Sequence, residues 1–121
     1  MASSSRSGTI TFYHNPRCGK SRDALALLQE RGATVEVVRY LETPLSRAGL
    51  AELVGKLGIP AVALLRKGED EYKYRFVGRT PTDAEALDAM AEHPILMERP
   101  VAVLGDKAVV GRPPERVLEL L

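Results

Sequence analysis

One cysteine in this chain stands where reactive side-chain chemistry is easiest to build. Cys18 is the only cysteine among the 121 residues, and it follows a turn that contains Pro16. A helical pattern starts at about Gly19, so the thiol is expected at a helix N-terminus, where unpaired N–H groups and the helix dipole attract anions. This setting stabilises a thiolate, the nucleophilic form of cysteine. The pattern therefore favours a reactive cysteine over a buried structural one.

Three arginines fall at predicted element boundaries, where side chains from different parts of a fold can converge. Arg66 ends a short helix, Arg99 precedes a strand and Arg112 follows the next strand. Guanidinium groups hold a tetrahedral oxyanion by bidentate hydrogen bonds and offset its repulsion from an anionic nucleophile. Spacing alone leaves open whether these three face the thiol or the solvent. Further positive charge lies close to the cysteine in the sequence, on Arg17, Lys20 and Arg22.

The first half of the chain is predicted to open as strand, helix and strand. Thr9–Tyr13 and Thr34–Tyr40 are rich in β-branched and aromatic residues, which is typical of buried strands. The helix between them carries an apolar face and ends near Gly32, a suitable C-terminal cap. Because a helix separates the strands, the two are expected to be parallel.

A helical insert is predicted next. Its first helix has Leu50, Leu53, Val54 and Leu57 on one face, with Thr43 and Ser46 as alternative N-caps. Residues 61–65 fit one or two helical turns, and residues 67–80 fit a long loop or a poorly ordered helix. Thr82 and Glu85 form a capping-box pattern that starts another helix. That helix places Leu87, Met90 and Ala91 inward and ends near His93.

The C-terminal part is predicted to be a hairpin followed by a helix. Val101–Leu104 and Lys107–Val110 flank a Gly105-Asp106 turn, and a last helix carries Val117, Leu118 and Leu121. The element order is thus β-α-β, two or three helices, then β-β-α. This order predicts an α/β fold: a thioredoxin-like mixed β-sheet flanked by helices, with a helical insert.

Length, charge and cysteine content limit the number of domains, the binding partners and the cellular compartment that the sequence suggests. The length suits a single domain, residues 9–121, behind a polar lead-in, residues 1–8, that is expected to be disordered. A net charge of +1 gives no case for nucleic-acid or membrane binding, and no apolar stretch is long enough to cross a membrane. One cysteine alone makes neither a disulfide nor a structural zinc site, so a reducing cytoplasm is expected. Any thiol redox cycle needs a second sulfur from outside the chain.

Five separated motifs resemble those of the glutaredoxin-linked arsenate reductases, the ArsC type. They run in family order from about Ile10 to the C-terminus. The motifs are His14-Asn15-Pro16-x-Cys18-Gly19-x-Ser21-Arg22, Tyr40-Leu41-Glu42-Thr43-Pro44, Ala63-Leu64-Leu65-Arg66-Lys67, His93-Pro94-Ile95-Leu96-Met97-Glu98-Arg99-Pro100 and Gly111-Arg112-Pro113. The segment Gly68–Thr80 differs from the corresponding family stretch.

The resemblance implies a function and a set of roles. Cys18 would attack arsenate, and Arg66, Arg99 and Arg112 would bind the oxyanion. Glutathione and glutaredoxin would supply electrons, with no metal and no tightly bound cofactor, in a protein expected to be a monomer. Supporting roles fall to the residues around the thiol and to a cis-proline facing it. The supporting residues are His14, Asn15, Gly19, Ser21 and Pro100. His14 is associated in the family with keeping the thiol ionised, and Ser21 with the N–H groups from Gly19 onward would complete the anion cradle.

The sequence also bears on other classes of protein. Phosphatase-like arsenate reductases need Cys-x5-Arg, and the residue six after Cys18 is Ala24. Monothiol glutaredoxins share Cys-Gly-x-Ser and bind iron–sulfur clusters, but usually place a small or β-branched residue where Arg99 stands. An RNA polymerase-binding regulator resembling the Spx proteins often has a second cysteine where Ser21 stands. A family member without arsenate activity, acting as a glutathione-linked thiol oxidoreductase, stays open.

Overall fold

The structure is a computed structural model that describes residues 8–121, so residues 1–7 of the expected lead-in lie outside the described part. The chain groups into two compact units. The first contains the residues up to Tyr40 together with Arg99–Leu121, and the second is Leu41–Glu98. The second unit is the helical insert that the sequence predicts.

A mixed four-stranded sheet lies in the first unit. Its strands are β1 (Ile10–Tyr13), β2 (Val35–Val38), β3 (Val101–Leu104) and β4 (Lys107–Val110), in the order β2-β1-β3-β4. β1 and β2 are parallel, whereas β3 is antiparallel to both β1 and β4. The predicted parallel opening and C-terminal hairpin are both confirmed.

The register of these strands brings three chain segments to one end of the sheet. Tyr13 at the end of β1 pairs with Val101 at the start of β3, and Val101 pairs with Val110 at the end of β4. The residues just after Tyr13, just before Val101 and just after Val110 therefore leave the sheet side by side.

The core of this unit lies under helix α1 (Gly19–Glu30) and the 3₁₀ helix Pro114–Leu120, which pack on each other. The last helix was predicted to carry Val117, Leu118 and Leu121, but Leu121 is 48% exposed and the buried residues are Pro114, Val117 and Leu120. A 3₁₀ helix has three residues per turn, so its buried face repeats every third residue. The core cluster consists of Ile10, Phe12, Ala24, Leu28, Ala102, Val117 and Leu120.

The regular elements of the second unit are all helices, and an isolated β-bridge pairs Leu65 with Met97. This unit contains α2 (Arg47–Leu57), the 3₁₀ helix Ala61–Leu64, α3 (Asp70–Arg75), α4 (Asp83–Glu92) and the 3₁₀ helix Pro94–Leu96. Helix α3 occupies part of the stretch, residues 67–80, for which a long loop or a poorly ordered helix was predicted. None of the helices in the described part of the chain is long and apolar enough to span a membrane.

Local signals in the sequence explain where α2 and α4 begin. Ser46, not Thr43, caps α2 by accepting a hydrogen bond from the Gly49 N–H at 3.0 Å. Both hydrogen bonds of the predicted capping box between Thr82 and Glu85 are present at the start of α4. The prediction for the inward face of α4 was partly wrong, because Leu87 and Ala91 are only half-buried. The buried residues of α4 are Ala86, Ala89 and Met90.

Candidate active site

Cys18 is the N-cap residue of α1. Its backbone is extended, with φ −93° and ψ 121°, and its side chain caps no backbone N–H group. Its carbonyl oxygen accepts the first helical hydrogen bond, from the Arg22 N–H at 3.1 Å, and the residue is half-buried. The thiol therefore sits at a helix N-terminus, as predicted, where backbone donors and the dipole favour an anion.

Asn15 organises the turn that precedes the thiol. It is buried, and its side-chain Oδ1 accepts from the Arg17 N–H at 3.0 Å. Its backbone carbonyl accepts from the Cys18 N–H, also at 3.0 Å. These two hydrogen bonds fix the backbone on both sides of the position where Pro16 restricts φ.

His14 and Ser21 form a buried pair beneath this turn. His14 is 7% exposed and Ser21 is fully buried. His14 Nδ1 lies 2.7 Å from Ser21 Oγ, and the same oxygen accepts from the Asn15 N–H at 3.1 Å. Ser21, predicted to help form the anion cradle, therefore has its hydroxyl engaged with the turn in this structure. It joins the end of β1 to the first turn of α1.

The protonation of His14 follows from its surroundings. Burial lowers the pKa of His14 below its ordinary value of 6.5, and the positive charges of Arg39 and Arg22 lower it further. Above this lowered pKa the ring is uncharged, and its Nδ1 shares a hydrogen bond with Ser21 Oγ. His14 is therefore an uncharged hydrogen-bonding partner of Ser21.

Arg22 folds back over the start of α1. Its Nη1 donates to the carbonyl oxygen of Pro16 at 2.8 Å. Its Nη2 lies 3.8 Å from the place where a Cβ on Gly19 would stand. A positive charge is thus held beside the first helical residue, where it adds to the helix dipole.

Arg99 and Arg112 come together at the end of the β3–β4 hairpin. Arg112 Nη1 donates to the carbonyl oxygen of Arg99 at 3.2 Å, and Nε and Nη1 of Arg99 are buried. The Arg99–Pro100 peptide bond is cis, as the resemblance implied, and the Arg112–Pro113 bond is cis as well, which was not predicted. The strand register places the segment after Tyr13, which leads to Cys18, beside the residues before β3 and after β4. Cys18, Arg99 and Arg112 therefore all lie in segments at the same end of the sheet.

Gly111 lets the backbone in front of Arg112 approach the cis-proline closely. The Gly111 N–H donates to the Pro100 carbonyl oxygen at 2.8 Å. A Cβ at Gly111 would lie 2.9 Å from Pro100 Cγ, 3.0 Å from Val117 Cγ1 and 3.5 Å from Ala24 Cβ. Only glycine fits this junction between the hairpin, α1 and the last 3₁₀ helix. Gly111 belongs to one of the motifs noted in the sequence, but its packing role was not predicted.

Arg66 lies in the second unit, so the structure does not bring it together with Cys18 in a single compact unit. Its backbone is fixed, because the Arg66 N–H donates to the Leu96 carbonyl oxygen at 2.7 Å. Its guanidinium forms ion pairs with Glu69 and, at 3.6 Å, with Glu98. The sequence reasoning missed both carboxylates, although Glu98 stands next to Arg99 in the motif. Convergence of Arg66 on the thiol stays a prediction.

The chain is similar to known proteins over most of its length. The model of the ArsC family matches residues 13–120. An arsenate reductase from Neisseria meningitidis is 44% identical, over 93% of this chain and 97% of the relative. An uncharacterized Escherichia coli protein, YfgD, is 49% identical, over 93% of this chain and 96% of that protein.

The fold has a similar counterpart among solved structures. The arsenate reductase from Vibrio cholerae superposes with a TM-score of 0.90 at 44% identity, covering 95% of this chain and 99% of that chain. The predicted thioredoxin-like mixed sheet with flanking helices is confirmed by this likeness and by the observed strand order.

Proposed function

This chain belongs to the ArsC family, and we propose that it reduces arsenate to arsenite through a covalent adduct on Cys18. Glutathione and glutaredoxin are the proposed electron donors. Several relatives at 41–44% identity are named arsenate reductases. We expect the protein to work as a monomer in a reducing cytoplasm, where small thiols keep Cys18 reduced.

The observation that carries this proposal is the position of the thiol. Cys18 is the N-cap of α1 with its side chain uncommitted to capping, and it leaves the sheet at the same end as Arg99 and Arg112. A nucleophile beside backbone N–H donors and guanidinium groups suits attack on an oxyanion. In this arrangement the donors offset the charge repulsion between a thiolate and arsenate.

The first step is a displacement at arsenic. The Cys18 thiolate forms a sulfur–arsenic bond while one arsenic–oxygen bond breaks, and the leaving oxygen departs as water after taking up protons. Arg99 and Arg112 hold the remaining oxygens. Arg66 is the third proposed anion ligand, and its guanidinium would exchange part of its contact with Glu69 and Glu98 for the substrate.

The later steps transfer two electrons from two sulfurs. The glutathione thiol displaces a second oxygen as water and forms its own bond to arsenic. The glutaredoxin thiolate then attacks the glutathione sulfur, a disulfide forms between those two, and the electron pair of the broken bond stays on arsenic. Arsenic passes from the pentavalent to the trivalent state, and water releases arsenite from Cys18. Because both electrons come from thiols, the scheme calls for no metal and no bound cofactor.

The test is NADPH oxidation coupled through glutathione reductase, glutathione and glutaredoxin, with and without arsenate. We expect arsenate-dependent turnover by the wild-type protein and none by Cys18→Ser. Omission of glutaredoxin should stop turnover as well. Arg31→Gln is a matched surface control, because Arg31 is exposed at the far end of α1 and should leave turnover unchanged.

One outcome would overturn the substrate assignment and keep the site. A folded wild-type protein whose Cys18 alkylates readily, yet which shows no arsenate-dependent turnover, is not an arsenate reductase. Activity on glutathione mixed disulfides in the same preparation would then indicate the glutathione-linked oxidoreductase.

A further inference from the structure

Two cations beside the thiol have no acidic partner within the described part of the chain. Arg17 and Lys20 are both exposed, and no carboxylate of the described residues lies within ion-pair distance of either, although Lys20 lines a surface pocket together with Asp23, Glu30 and Glu115. Ion pairing is common elsewhere on this protein, and five other arginines each lie against a carboxylate. These are Arg47, Arg66, Arg75, Arg79 and Arg116. The positive charge on both sides of Cys18 is therefore left available to a ligand.

The backbone that carries these two cations is nevertheless fixed. The Arg17 N–H is held by Asn15 Oδ1 at 3.0 Å, and Lys20 lies in the first turn of α1. The Arg22 guanidinium holds the Pro16 carbonyl at 2.8 Å. The side chains of Arg17 and Lys20 can thus meet a ligand while the chain beneath them stays in place, which lowers the entropic cost of binding.

The chemistry at Cys18 requires a second anionic reactant. With one cysteine in the chain, the Cys18 adduct must be resolved by a thiol from outside. A peptide thiol such as glutathione brings two carboxylates towards an adduct that is itself negatively charged. Without cations near the entry point, this repulsion would slow the second step.

We infer that Arg17 and Lys20 bind the carboxylates of the small peptide thiol that resolves the Cys18 adduct. The inference rests on the proposed function and names the residues that would hold its second substrate. Arsenate itself is assigned to the arginines at the hairpin end and to Arg66. Arg17 and Lys20 are left for the thiol because both are exposed and flank Cys18 in the sequence.

The test isolates the thiol step from arsenate chemistry. Cys18 is first converted to a mixed disulfide with an uncharged thiopyridine, and release of thiopyridone is followed after glutathione is added. The glutathione thiolate forms a disulfide with the Cys18 sulfur as the bond to thiopyridine breaks, so no net oxidation occurs. Glutathione diethyl ester is the matched probe, because it has the same sulfur and backbone but no carboxylate charge.

The double variant Arg17→Gln, Lys20→Gln is compared with Arg31→Gln, Lys107→Gln, which makes the same change in net charge at exposed sites away from the turn. We expect the first variant to react with glutathione about five-fold more slowly than wild type and with the diethyl ester at an unchanged rate. The loss should shrink as salt shortens the range of the charges. The control variant should match wild type with both probes.

Three results would overturn the inference. Equal losses with glutathione and its diethyl ester would assign the effect to the thiol group and not to carboxylate binding. An equal loss in the control variant would assign it to net charge. Unchanged thiopyridone release with slower glutaredoxin-coupled turnover would assign the two cations to the protein donor. Because no arsenate is present, a protein without arsenate turnover can still pass this test, so failure of the proposed function is seen separately.

Discussion

Arg112 and Arg99 are tethered to each other, since Arg112 Nη1 donates to the carbonyl oxygen of Arg99 at 3.2 Å. This hydrogen bond uses one Nη atom of the Arg112 guanidinium and fixes the orientation of the planar group at the end of the hairpin. Antiparallel pairing of Val101 with Val110 makes it possible, because it brings the residues before β3 next to those after β4. The two arginines therefore behave as one positioned pair.

A lysine cannot reproduce this geometry at Arg112. Its ammonium is a point charge without a planar fork, so it cannot keep the Arg99 carbonyl and also hold an oxyanion by two parallel hydrogen bonds. We expect Arg112→Lys to lower kcat/KM for arsenate by about ten-fold or more. Arg116→Lys is the control, because Arg116 is exposed and pairs with Glu119. Wild-type kcat/KM in Arg112→Lys would contradict the role of the fork.

A methyl group at position 111 should disturb the pairing of Arg99 and Arg112, because it would push against the residues packed next to the hairpin. The Cβ of Gly111→Ala would meet Pro100 Cγ at 2.9 Å and Val117 Cγ1 at 3.0 Å, and overpacking of this kind costs about 1–3 kcal/mol. We expect Gly111→Ala to have a lower free energy of unfolding in urea. We also expect kcat/KM to fall by a larger factor than KM changes, which means that kcat falls as well.

Gly55→Ala is the matched control for that substitution. Gly55 lies inside α2, and a Cβ there would meet nothing within 4 Å. Alanine is more favourable than glycine in a helix interior by about 0.5–1 kcal/mol, so the free energy of unfolding of Gly55→Ala should rise. Equal stability of the two alanine variants would mean that the close approach at Gly111 is unimportant.

The sequence predicted the elements of the first unit well, because its signals there are local. The β-branched stretches gave the strands, Gly105 and Asp106 gave the hairpin turn, and the helix start placed Cys18 at an N-cap. The capping box at Thr82 was equally local and is confirmed. Such signals depend on a few neighbouring residues and need no knowledge of the tertiary structure.

Other features depended on long-range packing and could not be predicted. The bond from Arg112 to the Arg99 carbonyl joins a side chain to a backbone atom 13 residues away, and no residue type signals such an acceptor. The buried face of the last helix depended on its being a 3₁₀ helix, and the sequence suits an α-helix there equally well. The ion pair of Arg66 with Glu98 was likewise not predicted, because these residues are distant in the sequence and meet beside the backbone pairing of Leu65 with Met97.

The carboxylate of Glu69 should compete with arsenate for Arg66. The two side chains form an ion pair, and both are less than one-third exposed. If Arg66 binds the oxyanion, Glu69→Gln removes a competing negative charge, and KM for arsenate should fall about two- to five-fold. Glu92→Gln is the control, because it breaks the pair with Arg75 in the same unit and changes net charge equally. An unchanged or higher KM in Glu69→Gln would count against substrate binding by Arg66 or show that Glu69 holds it in place.

His14 should make the folded state less stable in mild acid. Burial lowers the His14 pKa below its ordinary 6.5, and Arg39 and Arg22 lower it further, so between the folded-state pKa and 6.5 the unfolded chain binds a proton that the folded chain does not. The free energy of unfolding therefore falls as pH drops through this window, by at most about 1.4 kcal/mol per pH unit, and this contribution levels off below the folded-state pKa. An NMR titration of the ring carbons gives the pKa directly, and urea unfolding of wild type, His14→Gln and His93→Gln gives the stability. The acid loss should be weaker only in His14→Gln, whereas a His14 ring that titrates at or above 6.5 would refute the uncharged pairing with Ser21.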